Sequence, residues 1–96
     1  MANYTKLSTP FDNIAFWDNT PPLTTIFQPY TITSFSIVEW EIYNDSATNY
    51  IEYSFDGSNV HGKLKAGEIK VEPLKNQKIY LRGEVDNVPF RLWARG

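Results

Sequence analysis

The chain's one histidine, His61, stands in S-N-V-H-G, seven residues after Ser54 and five after Asp56. Serine, histidine and aspartate can act together as nucleophile, base and orienting acid when folding aligns them. No nucleophile elbow surrounds Ser54, however. D-G-S-N at 56–59 has the composition of a tight turn: the acid can bond the turn's own amides, and glycine accepts positive φ. A zinc site at His61 would have to draw its other ligands from carboxylates, because the chain has no cysteine and no second histidine. The same turn offers too few oxygens for a calcium loop. Glu39 and Glu41 lie two apart, as a glycosidase pair might, yet alternate positions on a strand are the ordinary sites of a solvated face. There is no phosphate-binding glycine loop, no dinucleotide fingerprint and no H-E-x-x-H. The residues predict no catalytic group, no cofactor and no metal, with His61 in an exposed loop.

Binding chemistry is better represented. In V-P-F-R-L-W-A-R, Trp93 falls on the same face as Arg91 and Arg95, opposite Val88, Phe90, Leu92 and Ala94. Tryptophan and arginine dominate protein–protein hot spots, so Arg91 and Trp93 are candidate partner contacts. The tryptophan could also stack on a sugar ring, or be covered by the N-terminal segment.

The elements that must position these groups are strands. From residue 31 onward the apolar period is two. Val38, Trp40 and Ile42 are predicted to share an inward face against Glu39 and Glu41, with a bulge or change of buried face near residue 37. Ile51, Tyr53 and Phe55 alternate in the next strand. Ile69 and Val71 are predicted inward with Lys70 and Glu72 outward, and Pro73 ends that strand or places it at an edge. Ile79, Leu81 and Val85 are predicted inward, and Asp86-Asn87 makes a turn. The predicted fold is all-β: one antiparallel sandwich (jelly-roll-like or immunoglobulin-like), or a small barrel, of six to eight short strands.

Residues 1–30 read differently. They hold four of the six prolines and six aromatic residues, with neither helical spacing nor clean alternation. Disordered tails are poor in rings, so this segment is predicted to be an extended arm packed on its own domain or on a neighbour. Phe11, Phe16, Trp17 and Phe27 are its candidate anchors. Residues 31–96 then form the domain, and deletion of residues 1–20 is expected to abolish partner binding while leaving a folded core.

At 96 residues, 42% of them hydrophobic, the chain supports a single core. Residues 1–62 carry seven acids and one base (1 − 7 = −6), and residues 63–96 carry eight bases and four acids (8 − 4 = +4). The acidic total of −2 speaks against nucleic-acid binding. Opposite-signed halves suit either docking between copies or pairing across neighbouring strands. No run approaches membrane-spanning length, and the N-terminus M-A-N-Y-T-K lacks the apolar core of a secretion signal.

Y-I-E-Y-S-F-D-G at 50–57, K-I-Y-L-R-G at 78–83 and the final V-P-F-R-L-W-A strand resemble small β-sandwich virion proteins of tailed bacteriophages. In those, an I-S-F-D-G strand-turn precedes an I-Y-V-R-G strand and a terminal strand. The likeness covers about residues 42–94. It implies a non-enzymatic particle component, a capsid decoration or auxiliary protein or a neck or tail piece, made in the bacterial host cytoplasm and resident in the virion. Its partners would be capsid or tail proteins and further copies of the chain, with a trimer preferred. Asp56, Gly57, Arg82 and Gly83 would be fold-defining positions in it. A carbohydrate-binding or adhesive module using Trp93, Tyr80 or Tyr50 is the alternative, and a small hydrolase the third.

Overall fold

A computed structural model of the protein describes the strand Thr5–Ser8 and residues 13–96. Among the described residues, strands β1 (Thr5–Ser8), β2 (Asn13–Asp18), β3 (Gln28–Thr31), β4 (Glu39–Asn44), β5 (Ile51–Ser54), β6 (Gly62–Leu64), β7 (Ile69–Glu72), β8 (Lys78–Gly83) and β9 (Phe90–Arg95) follow in chain order. They form two antiparallel sheets, ordered β1-β2-β9-β4-β7 and β3-β8-β5-β6. Among the described residues each sheet has open edges, so the architecture is a sandwich and not a closed barrel. No helix among the described residues is long and apolar enough to cross a membrane.

Directly paired residues on neighbouring strands share a face. Ala15 pairs with Ala94 and Trp17 with Leu92, while Trp40 pairs with Ala94 and Ile42 with Leu92. These six side chains line the inner face of the five-stranded sheet, each no more than 2% exposed. The four-stranded sheet answers with Tyr30, Ile79, Leu81, Ile51, Tyr53 and Leu64, all buried. Rings join the layers: Tyr30 meets Trp17 edge-on at 5.5 Å and Phe90 at 5.5 Å. Edge-to-face contacts of this kind add to the apolar burial of each ring.

Polar groups cross the same gap. The Tyr53 hydroxyl donates to Glu72 Oε2 at 2.6 Å, and desolvation, then the neighbouring carboxylate, holds that phenol far above its ordinary value. Asn44, 3% exposed, donates from Nδ2 to the carbonyls of Asn49, Leu64 and Lys65. Its Oδ1 accepts from Ser46 N at 2.9 Å.

Residues 13–31 are part of the sandwich. β2 is inserted between β1 and β9, and β3 is an edge strand on β8, where Pro29 is tolerated because its missing N–H costs no ladder bond. The expected 1–30 arm therefore gives way over its described part. β2 escapes a period-two reading because both of its faces carry apolar residues, Ala15 and Trp17 inside, Ile14 and Phe16 outside.

Four inward assignments are also corrected. Ile69 and Val71 are 59% and 47% exposed. Lys70 and Glu72 pair with Ile42 and Trp40, so it is they that share the inner face. Val38 and Val85 are each 45% exposed, the first at the mouth of β4 and the second in the 84–87 turn. That turn forms as expected, with Asn87 at φ 62°.

Candidate docking surface

The outer face of the five-stranded sheet carries Ile14, Phe16 and Asp18 from β2, Arg91, Trp93 and Arg95 from β9, Glu39, Glu41 and Tyr43 from β4, and Ile69 and Val71 from β7. The registers stack these into rows, Phe16–Trp93–Glu41–Val71 beside Asp18–Arg91–Tyr43–Ile69. At the centre, the half-buried rings of Phe16 and Trp93 touch at 4.5 Å between centroids, tilted by 50°.

Ion pairs frame that centre. Arg91 grips Asp45 through Nε and Nη2 at 2.8 and 2.9 Å while its guanidinium lies 4.5 Å above the Tyr43 ring. The Asp45 bond holds the Arg91 guanidinium above even its ordinary range. Arg95 stands 3.6 Å from Glu39 and 3.8 Å from Glu41. Tyr43 donates to Glu41 Oε1 at 3.1 Å, and this bond raises the phenol above its ordinary value. On the other sheet, Arg82 and Glu52 meet at 2.8 Å. Each of these ion pairs joins an arginine of residues 63–96 to an acid of residues 1–62, so part of the sequence's charge asymmetry is paired across neighbouring strands, as β9 lies on β4 and β8 on β5. Exposed pairs of this kind hold side-chain geometry more than they stabilise the fold.

The candidate anchors are thus divided. Phe16, Arg91 and Trp93 come together on one face. Trp17, expected at a partner surface, is 2% exposed between Tyr30 and Trp40 in the core, because its position on β2 has the inward parity. Phe27 sits under the Arg82 guanidinium at 4.2 Å on the other sheet. Phe11 lies outside the described residues. Tyr43 and Asp45, which contact Arg91, and Ile69 and Val71, one strand further along the same rows, were missed as surface partners; strand pairing brings them there, and one chain's spacing does not encode it.

The Ser54, Asp56 and His61 set makes a turn. Asp56 Oδ1 accepts from Ser58 N and Asn59 N at 2.8 Å each and from Ser54 Oγ at 2.9 Å, and Oδ2 accepts from Asn59 Nδ2 at 2.7 Å. His61 Nδ1 accepts from Phe55 N at 2.9 Å, and the Ser54 hydroxyl donates to Asp56 and not to the imidazole. Gly57 takes φ 81° beneath the Tyr80 ring. Backbone amides at Asn59 and Ser58, then the Asn59 and Ser54 side chains, hold the Asp56 carboxyl far below its ordinary 3.8. A depressed carboxyl stabilises the fold fully above its unfolded pKa and loses that contribution as pH falls toward its folded one. Asp56→Ala should therefore lower Tm by a constant amount above about pH 5, and the gap to the parent should close on acidification below about pH 4. Melts from pH 2 to 7 followed by circular dichroism would check this.

The fold and this face define an antiparallel β-sandwich that presents a ringed, ion-paired sheet surface. No family model matches the chain, and no curated protein matches it. Protein NMB1881 from Neisseria meningitidis, known from a crystal structure, aligns over 96% of this chain and 81% of that chain with 13% identity and a TM-score of 0.49. A likeness of that degree carries no inference about activity or partners.

Proposed function

We propose that the protein is a non-enzymatic structural component of a tailed-phage particle, a capsid decoration or auxiliary protein that docks on assembled neighbours through the outer face of the five-stranded sheet. The observation that carries the docking role is the Phe16–Trp93 pair at the centre of that face, 4.5 Å apart and ringed by Arg91, Arg95 and their acids. Rings surrounded by polar, water-excluding contacts are how hot spots are built. The phage assignment rests on the sequence resemblance over residues 42–94. Docking by this face replaces docking by an arm, since Trp17 is committed to the core. A protein that binds the assembled state alone stabilises it by mass action.

Two measurements test the reading. Mass spectrometry of gradient-purified particles of the encoding phage should find the chain, and imaging should place it on the head or the tail; particles without it would refute the assignment. Trp93→Ala should weaken particle binding by about 30-fold or more, the size of a hot-spot loss of about 2 kcal/mol, while Tm stays within a few degrees of the parent. Undiminished occupancy by that variant would remove the face from consideration.

A further inference from the structure

β7 is the edge of the five-stranded sheet beyond β4. Asn44 N donates to Glu68 O at 2.9 Å, and the register continues Ile42↔Lys70 and Trp40↔Glu72. Bonded and non-bonded pairs alternate in an antiparallel ladder. The even-numbered residues of β7 therefore bond to β4, and the N–H and C=O groups of Ile69 and Val71 point away from the sheet. Their side chains are 59% and 47% exposed on its outer face. An edge with open backbone groups and bare aliphatic side chains is a template for another strand.

We infer that this edge is a self-association site, with β7 of one copy pairing antiparallel to β7 of a second copy about a two-fold axis at Val71. The order Ile69-Lys70-Val71-Glu72-Pro73 selects that register. With Val71 opposite Val71, Lys70 of each copy faces Glu72 of the other, so both cross-strand pairs are of unlike charge. Sliding by two residues one way sets Lys70 against Lys70, and the other way sets Glu72 against Glu72; like charges directly opposite are destabilising. Val71 exchanges both of its backbone bonds with its symmetry mate. Ile69 N–H reaches the Pro73 carbonyl of the second copy, and the absent N–H of Pro73 ends the ladder there. On the outer face, Ile69 and Val71 of the two copies form one apolar stripe, continued on each side by Tyr43, the pairing neighbour of Ile69. Lysine and proline at an edge commonly bar pairing; here they bar every register but one.

The contact is isologous, so it closes at two copies and not at the three that the sequence reading preferred. Its purpose rests on the proposed structural role, in which a two-fold joint bridges copies on a particle. Its existence does not: a monomer that still binds particles through Trp93 would defeat this inference and leave that role standing.

The full chain should sediment as a monomer–dimer equilibrium with a Kd of order micromolar, as suits a small interface. Lys70→Glu should weaken the dimer at least tenfold, since both cross-strand pairs become like-charged. Glu72→Lys should do the same, and an equimolar mixture of the two variants should recover dimers, because only the mixed pair restores both unlike contacts. Glu72→Lys also removes the Tyr53 hydrogen bond, so a second probe avoids that site. Val71→Cys, in a chain with no other cysteine, should oxidise to a covalent dimer, while the loop control Ile26→Cys, 74% exposed, should not. A parent chain that is monomeric at all concentrations, a trimer or larger ring, or equal cross-linking by the two cysteine variants would overturn the inference.

Discussion

Deletion of residues 1–20 should yield a chain that does not fold, seen as loss of the cooperative melt and of near-ultraviolet dichroism from its buried rings. β2 supplies Ala15 and Trp17 to the core, 0% and 2% exposed, and all of the β2–β9 ladder from Ile14↔Arg95 to Asp18↔Arg91. Losing a buried tryptophan alone costs about 3–5 kcal/mol, against a total stability for a domain of this size of about 5–15 kcal/mol. The deletion adds the loss of the ladder, and of Asn19, whose Oδ1 accepts from Phe90 N at 2.8 Å. Trp17→Ala in the full chain isolates the core term and should lower Tm by about 12 °C or more. A deleted chain that melts cooperatively near the parent temperature would show that the strand is dispensable. The outcome expected from composition alone, a folded core without its arm, is thereby reversed.

Asn44→Asp should be among the most damaging single substitutions although it changes almost no volume. The amide group of Asn44 gives its hydrogens to three carbonyls, those of Asn49, Leu64 and Lys65, at 2.8 to 3.2 Å. An ionised carboxylate has no hydrogen to give. It would stand buried against three oxygens, whereas Asn44→Ala merely takes one donor from each carbonyl, with Lys65 O keeping Glu68 N at 3.0 Å, and takes from Ser46 N its Oδ1 acceptor. The alanine variant should lose about 2–3 kcal/mol, in the range for buried groups left unsatisfied. The aspartate variant should lose more, about 3–5 kcal/mol, in the range for an uncompensated buried charge. The sign of its pH dependence is diagnostic. Burial raises the introduced carboxyl's pKa above its unfolded value, so its penalty is full at neutral pH and shrinks as pH falls and the group becomes a donor. Denaturant melts of the parent and both variants at pH 7 and pH 4.5 would check the order. An aspartate variant as stable as the alanine variant at pH 7 would mean that the site admits water.

Much of the turn chemistry was legible in the chain. D-G at 56–57 and D-N at 86–87 name their reversals through residues that tolerate positive φ, and both turns form, with Gly57 at 81° and Asn87 at 62°. The last strand was legible as well, since Val88, Phe90, Leu92 and Ala94 are all buried and Arg91 and Arg95 exposed. β2 and β7 were not. In β2, apolar residues on both faces erase the alternation. In β7 the alternation is clear but inverted, because the apolar pair faces out and the inner parity goes to Lys70 and Glu72, one of which reaches Tyr53.

What the order of residues determined by itself is local: where strands run, where they turn, and which side chains share a side. Where both sides carry apolar residues, as in β2, or the strand is an edge, as in β7, the buried side was decided by tertiary structure alone, because burial there depends on what lies across the gap. Trp17 and Trp93 show the difference. Both sit on strands of the same sheet, yet the opposing layer covers Trp17 and leaves Trp93 to the outer face beside Phe16. Alternation separates two faces of a strand with equal force on each; only the second sheet breaks the tie.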